Sequence, residues 1–221
     1  MTSDAAQAAP ARVTRRRAET RNRLLVAAYE AFAEEGFGRA TVERVCERAG
    51  FTRGAFYSNF SSLDELFLAM WEQRSTTMLT EASAILDEIA AEGTDDVRTA
   101  VERLERAVPV DESWYRITAE FTAHALRTPA LRRVMAAREE AIVAALMPTI
   151  VAALARGGRT VPDPEAFGQA LIAVHDGTSV QVLMEPDSHV VRERRTELFH
   201  HVVLAYSTAT EGSTCLTTVP K

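Results

Sequence analysis

The sequence predicts an all-α protein, with a three-helix N-terminal head that carries a helix-turn-helix and a helical body after it, about nine helices in all. Three observations lead there. Apolar residues recur at i, i+3, i+4 and i+7 in nearly every segment. No stretch alternates as a half-buried strand does. Thr, Ser, Gly and Pro mark helix starts and stops where capping and chain breaking place them. The chain has 221 residues, 47% hydrophobic and 25% charged, the balance of a globular chain with room for a sizeable core.

Residues 1–17 are rich in Ala, Pro and Arg and read as a disordered basic leader. From Ala18 to Glu35, Leu25, Ala28, Tyr29 and Phe32 form one apolar stripe, and Gly36-Phe37-Gly38 ends that helix. Thr41 caps a second helix whose inward set is Val42, Val45, Cys46 and Ala49. Gly50 breaks it, and Thr52 caps a third, short helix running through Phe60, with Phe56 and Phe60 inward. Ser61 is the expected cap of a long fourth helix, with Asp64 completing a capping box. The stripe of that helix runs from Leu63, Leu66, Phe67, Met70 and Trp71 to Leu86 and Ile89, and Gly93 stops it after Glu92. Further helices are expected at 95–107, 112–126, 129–156, 164–185 and 189–208. Pro129 and Pro164 suit first-turn positions, whereas Pro148 falls inside a helical pattern and should kink or split it. The resulting division is a leader at 1–17, a head at 18–62, a body at 63–208 and a flexible tail at 209–221.

Charge is distributed unevenly. Residues 1–63 hold ten Arg against seven acids, a balance of +3; the whole chain carries −6, so the remainder carries −9. A basic head on an acidic body directs only the head toward phosphate. No run of 18 apolar residues occurs, which excludes a membrane-spanning helix and a membrane partner of that kind. The N-terminus lacks the apolar segment of a secretory signal. Cys46 and Cys215 lie 169 positions apart, forming neither a disulfide framework nor a zinc spacing, and read as reduced thiols of a cytoplasmic protein. There is no Gly-rich phosphate loop, nucleophile elbow or His-Glu-x-x-His, so no catalytic residue or cofactor is assigned and the chain is not read as an enzyme. Adjacent helical residues point about 100° apart, so His200-His201 do not chelate one ion from one face, and no metal site is assigned.

The informative stretch is Thr41 to Phe60, TVERVCERAGFTRGAFYSNF. Two short helices meet at Gly50-Phe51, the first amphipathic, the second opening on a capping Thr and small or polar residues. This is the writing of a helix-turn-helix, in which the second helix enters the major groove of double-stranded DNA by its N-terminal end. Gly54 and Ala55 permit close approach to base edges, and Arg53 supplies a planar fork suited to guanine. Tyr57, Ser58 and Asn59 offer donors to phosphate oxygens.

The text LLVAAYEAFAEEGFGRATVERVCERAGFTRGAFYSNFSSLDELFLAM resembles the DNA-binding domain of the tetracycline-repressor (TetR) family, over about a quarter of the chain. The resemblance implies a homodimeric all-α regulator with a helical effector-binding body. It implies that Thr41 meets phosphate, that Thr52 caps the recognition helix, that Gly54 is its small residue and that Tyr57 contacts phosphate. Arg44, beside Thr41 on the second helix, joins the candidate DNA contacts. Asn59 stands where the family often has His, and Ser62 where a Lys usually begins the fourth helix. The Arg tail (Arg12, Arg15, Arg16 and Arg17) offers compensating cations for phosphates or an adjacent minor groove. In the body, WYRITAEFTAHALRTPAL and FGQALIAVHDGTSVQVLMEPD are similar to recurring family helices, the latter implied to be part of a four-helix dimer bundle.

Candidate dimer-interface residues are Leu171, Val174, Gly177, Val180, Leu183, Leu198, Phe199, Val202 and Tyr206, most of which equally suit an intrachain core. Candidate effector contacts are Trp71, Trp114, Phe121, His124 and His175, with His124 either a polar anchor or a core histidine. The functional reading is a cytoplasmic, homodimeric DNA-binding regulator, a repressor released from a palindromic operator by a small, largely apolar effector. Its rivals are an activator or ligandless regulator of the same fold, a helical enzyme, and a protein-binding scaffold with a vestigial head.

Overall fold

A computed structural model describes residues 5–92 and 96–210. Among them are nine helices: α1 (Ala5–Glu35), α2 (Val42–Ala49), α3 (Arg53–Tyr57), α4 (Leu63–Glu92), α5 (Val97–Ala107), α6 (Glu112–Ala125), α7 (Pro129–Arg156), α8 (Pro164–Met184) and α9 (His189–Tyr206). Gly93, Cys215 and the tail beyond residue 210 lie outside the described residues, as does the side chain of Arg12. The first helix begins at Ala5 rather than after a disordered leader, because Ala and Arg, which dominate residues 5–17, are strong helix formers. Pro148 does not split α7, which runs through it.

Contacts divide the chain into two compact units. One holds residues up to Thr76 together with Ser113–Arg132; the other holds Thr77–Glu112 and the chain from Arg133 on. The first unit therefore contains α6, which the sequence division assigned to the body. Aromatic packing is the reason. Phe121 of α6 stacks on Phe67 of α4 at 3.6 Å between centroids and meets Phe37 edge-on at 4.9 Å. Phe32, Phe67 and Phe121 are fully or almost fully buried. Arg116 donates to the Ala33 carbonyl at 3.1 Å, tying α6 to the end of α1.

Within this unit the head is built from caps and a glycine. Thr41 Oγ1 accepts from the Arg44 N–H at 3.2 Å at the start of α2. Gly50 ends α2 at φ 71°, a left-handed conformation, and the Phe51 N–H then reaches back to the Cys46 carbonyl at 2.9 Å. Val45, Cys46 and Ala49 face inward as the periodicity requires, and burial raises the pKa of the Cys46 thiol. The cap of α4 is Ser62 rather than Ser61. Ser62 Oγ accepts from the Glu65 N–H at 3.1 Å, while the Glu65 carboxylate accepts from the Ser61 hydroxyl and N–H at 2.6 and 2.7 Å. The box is shifted one residue from the expected Ser61–Asp64 because the acid three residues beyond Ser62 is Glu65, and its longer side chain reaches back over the turn. Those Ser61 bonds hold the Glu65 pKa below its ordinary value.

The second unit centres on Leu86, Met147, Ile150, Val161, Phe167 and Val203. A Cβ on Gly168 would overlap Val143 Cγ1 of α7, so this glycine sets how closely α8 packs there. Arg195 of α9 is buried and satisfied on several sides: Glu105 of α5 at 2.9 Å, the Thr178 hydroxyl at 2.5 Å and the His175 carbonyl at 3.3 Å. Thr196 donates to the other Glu105 oxygen at 2.5 Å, so the pair is buried with its hydrogen-bonding partners rather than bare. Two short strands, β1 (Arg159–Thr160) and β2 (Thr208–Ala209), pair antiparallel. Residue 209, read from sequence as the start of a tail, is thus held, and Arg159 clamps the turn by donating twice to Ser207, at 2.8 Å each.

Two outcomes are expected. Gly50→Ala places a Cβ in a left-handed conformation and should lower unfolding free energy by about 1–2 kcal/mol; Gly38→Ala, with open space around it, should be nearly neutral in the same denaturation series. His175 keeps more than a third of its surface open, but its Nδ1 faces Arg195 at 3.1 Å, and burial of the ring, then the Arg195 charge, push its pKa down from 6.5 to about 4. The unfolded chain binds that proton first, so His175 contributes stability that is full above pH 6.5 and lost as pH falls toward 4. Denaturation midpoints between pH 7.5 and 4 should fall less steeply in His175→Gln than in the parent.

Candidate nucleic-acid interface

The recognition helix α3 has only five residues. Thr52 caps it, its Oγ1 accepting from the Ala55 N–H at 3.2 Å. Phe56 is fully buried and anchors it, packing on Phe60 at 5.9 Å between centroids. Its far end is held from α1, where Arg17 donates to the Ser58 carbonyl at 3.2 Å. The turn before it is held from α1 as well: Arg23 donates to the Ala49 carbonyl at 2.8 Å and lies over the Phe51 ring at 4.6 Å. Arg21 lies over Phe60 at 4.7 Å. Sequence reasoning missed Arg21 and Arg23 as clamps, because partners 26 and more residues away leave no local pattern.

Caps and clamps leave one face open. Thr41, Arg44, Thr52, Arg53, Gly54 and Tyr57 are exposed, Ala55 is half-buried, and Arg16 and Arg17 are exposed on α1. A Cβ on Gly54 would meet nothing nearer than Thr52 Oγ1 at 3.7 Å, so nothing inside the free protein demands glycine there. Two further sequence candidates make local bonds in the free protein. The Ser58 hydroxyl donates to the Ala55 carbonyl at 2.9 Å, and the half-buried Asn59 amide donates to the same carbonyl at 2.8 Å. In the free protein they finish the helix by capping its last turn.

Three arginines of α2 and α3 carry carboxylate partners. Arg44 donates to Glu35 at 2.9 Å and to Glu47 at 3.1 Å, Arg48 pairs with Glu34 and, at 3.6 Å, Glu30, and Arg53 pairs with Glu43 at 3.0 Å. Glu35 raises the Arg44 pKa, and the Tyr57 hydroxyl followed by the Glu43 charge raises that of Arg53. Arg53 and Tyr57 are also neighbours by ring contact, at 5.9 Å.

The geometry is that of a helix-turn-helix with its second helix presented. Across residues 24–70 the chain matches the family model of bacterial regulatory proteins of the TetR family, and across residues 93–206 the model of the BetI-type transcriptional repressor C-terminal region. The second match alone spans half of the chain. The chain belongs to the TetR family. TetR-family proteins are DNA-binding transcriptional regulators, not enzymes. Among curated relatives, the transcriptional activator FasR of Mycolicibacterium smegmatis is 30% identical over 104 residues, 47% of each chain. The regulator TtgR of Pseudomonas putida is 38% identical over 73 residues, 32% of this chain and 35% of its own. The repressor Rv1474c of Mycobacterium tuberculosis is 36% identical over 66 residues, 30% of this chain and 35% of its own. The aligned part thus spans half or less of these relatives. Among solved structures, a TetR-family regulator from Mesorhizobium loti superposes with a TM-score of 0.68 at 18% identity, covering 86% of this chain and 96% of its own. The multidrug binding protein EbrR complexed with imidazole gives 0.59 at 24% identity, covering 83% and 89%. These structural likenesses establish the TetR fold.

Four of the five sequence-derived effector candidates lie in the first unit, and His175 lies in the second. Trp71, Trp114 and Phe121 belong to the aromatic cluster of the first unit, where Trp71 and Trp114 meet edge-on at 6.3 Å and Phe121 is fully buried. His124 is no free anchor: its Nε2 faces Asp64 of α4 at 3.3 Å and its ring lies 5.5 Å from Phe37. His175 sits in the other unit beside Arg195. Of the dimer candidates, Gly177, Leu198 and Tyr206 are exposed, while Leu171, Val174, Val180, Leu183, Phe199 and Val202 are half-buried. No helix among the described residues is long and apolar enough to cross a membrane, and no group of three metal-ligating side chains occurs among them.

Gly54→Ala separates packing from recognition. It should leave thermal stability unchanged or slightly raised, yet weaken operator binding about tenfold, the result expected of a glycine that faces the groove. Melting curves and binding isotherms on the same preparation check both halves.

Proposed function

We propose that this TetR-family regulator acts in the cytoplasm as a homodimeric repressor, released from a palindromic operator by a small, largely apolar effector. The observation that carries the reading is the open face of α3, with Thr41, Arg44, Thr52, Arg53, Gly54, Ala55 and Tyr57 on or beside it and Arg16 and Arg17 adjoining, on a segment of charge +3 in a chain of −6. Each subunit places α3 in one major groove, with half-sites about 34–36 Å apart. Dimerisation is supported by apolar residues left exposed on α8 and α9, namely Met184 at 77%, Leu198 at 44% and Leu204 at 40%, which a second copy covers. Open space around Gly177 allows a partner helix to approach. Repression is supported by the BetI-type repressor model and by relatives named as repressors, Rv1474c among them. The name of FasR, an activator, makes the sign of regulation the part that a reporter assay decides.

An apolar effector is supported by the aromatic side chains of α4 and α6, Trp71 and Trp114, and by the multidrug binding named for EbrR. Such a ligand releases DNA only by binding the DNA-incompetent state more tightly than the competent one.

Light scattering and gel-shift binding to the DNA upstream of the chain's own gene, at 50 and 200 mM salt, test the reading together. The expected results are a dimer mass and a complex on a palindromic footprint that weakens steeply with salt. Leu198→Glu should give a folded monomer that loses the complex. A monomeric parent, or absence of specific binding both upstream and after random-sequence selection, would refute the proposal.

A further inference from the structure

The recognition arginine is already engaged. Arg53 NH1 lies 3.0 Å from Glu43 Oε1, with both side chains more than half exposed. Glu43 comes from the first turn of α2 and Arg53 from the first residue of α3, so the helix-turn-helix angle itself brings the two together. Tyr57, one turn further along α3, flanks the guanidinium on another side.

We infer that Glu43 is a specificity-determining residue, which holds Arg53 as a near-neutral pair so that the arginine reads base edges while adding little to indiscriminate phosphate binding. The argument rests on the DNA-binding reading above and has two physical parts. An isolated arginine at a helix start is drawn to any phosphate, whatever the sequence, and each such contact releases counterions. A carboxylate 3.0 Å away cancels most of that field at longer range. The same carboxylate occupies one terminal nitrogen and orients the planar fork, whose remaining N–H groups stay available to the two acceptors on the guanine major-groove edge. Because the pair is exposed, it is weak and opens where a correct base repays it.

The test uses the full-length protein and a 30-base-pair random-sequence duplex, read by fluorescence anisotropy from 50 to 200 mM salt. The variants are Glu43→Gln, Arg53→Ala and the double substitution. Glu43→Gln should bind the random duplex about three- to tenfold more tightly at low salt, with the slope of log K against log salt steeper by about 0.9, the value of one added phosphate contact. In the Arg53→Ala background the same change should gain nothing. A parent that binds the random duplex while Glu43→Gln matches it overturns this inference alone, as does a gain that persists without Arg53. A parent that binds no duplex at any salt overturns the DNA-binding reading and this inference with it.

Discussion

Five residues cannot sustain an α-helix in water, since nucleation fixes several dihedrals for a single hydrogen bond. The presentation of α3 is therefore the constraint around which the head is organised. Its start is held by Thr52 and its side by buried Phe56, and its end by the Ser58 and Asn59 side chains and by Arg17 reaching across from α1. Gly50 sets the angle at which the chain leaves α2, and Arg23 ties that turn to α1. Behind these local bonds stands the aromatic cluster joining α1, α4 and α6, which supplies the rigid wall that so short a helix lacks.

The same reasoning explains why α6 belongs with the head in packing. Phe121, Arg116 and His124 reach the Phe37 loop, the end of α1 and the first turn of α4 respectively. Segment order does not reveal this, because α6 is separated from the head by about 50 residues of intervening chain, and helical periodicity reports which face is buried without saying against what. Periodicity and capping did locate eight helices within a few residues, since those signals are local. They misplaced the α4 cap by one residue, where two serines compete and the length of the Glu65 side chain decides. They also missed the start of α1, where composition suggested disorder and helix propensity prevailed.

For the candidate interface, the residues that touch solvent were legible and their neighbours were not. Thr41, Thr52, Gly54 and Tyr57 announce themselves by type and spacing. Ser58 and Asn59 have the same polar character but spend it on the Ala55 carbonyl, a distinction that depends on where α3 stops. Apart from Glu47 on α2 itself, the carboxylate partners of Arg44, Arg48 and Arg53 lie up to 18 residues away, on neighbouring helices that only the fold brings near. The net charge of +3 over residues 1–63 already counts these carboxylates, so a distant polyanion meets that small excess rather than ten arginines. Much of the head's positive charge is matched at short range, and attraction becomes strong only on contact.

Cys46 adds a consequence of a different kind. Its thiol is buried on the inward stripe of α2, and burial raises its pKa, so a thiol reagent meets it only when the head opens. With Cys215 replaced by serine, its alkylation rate becomes an internal clock for local opening of the helix-turn-helix, timed separately from unfolding elsewhere in the chain. Occupancy of the recognition helix would slow that clock, giving an optical-label-free readout of how tightly the head is held in each functional state.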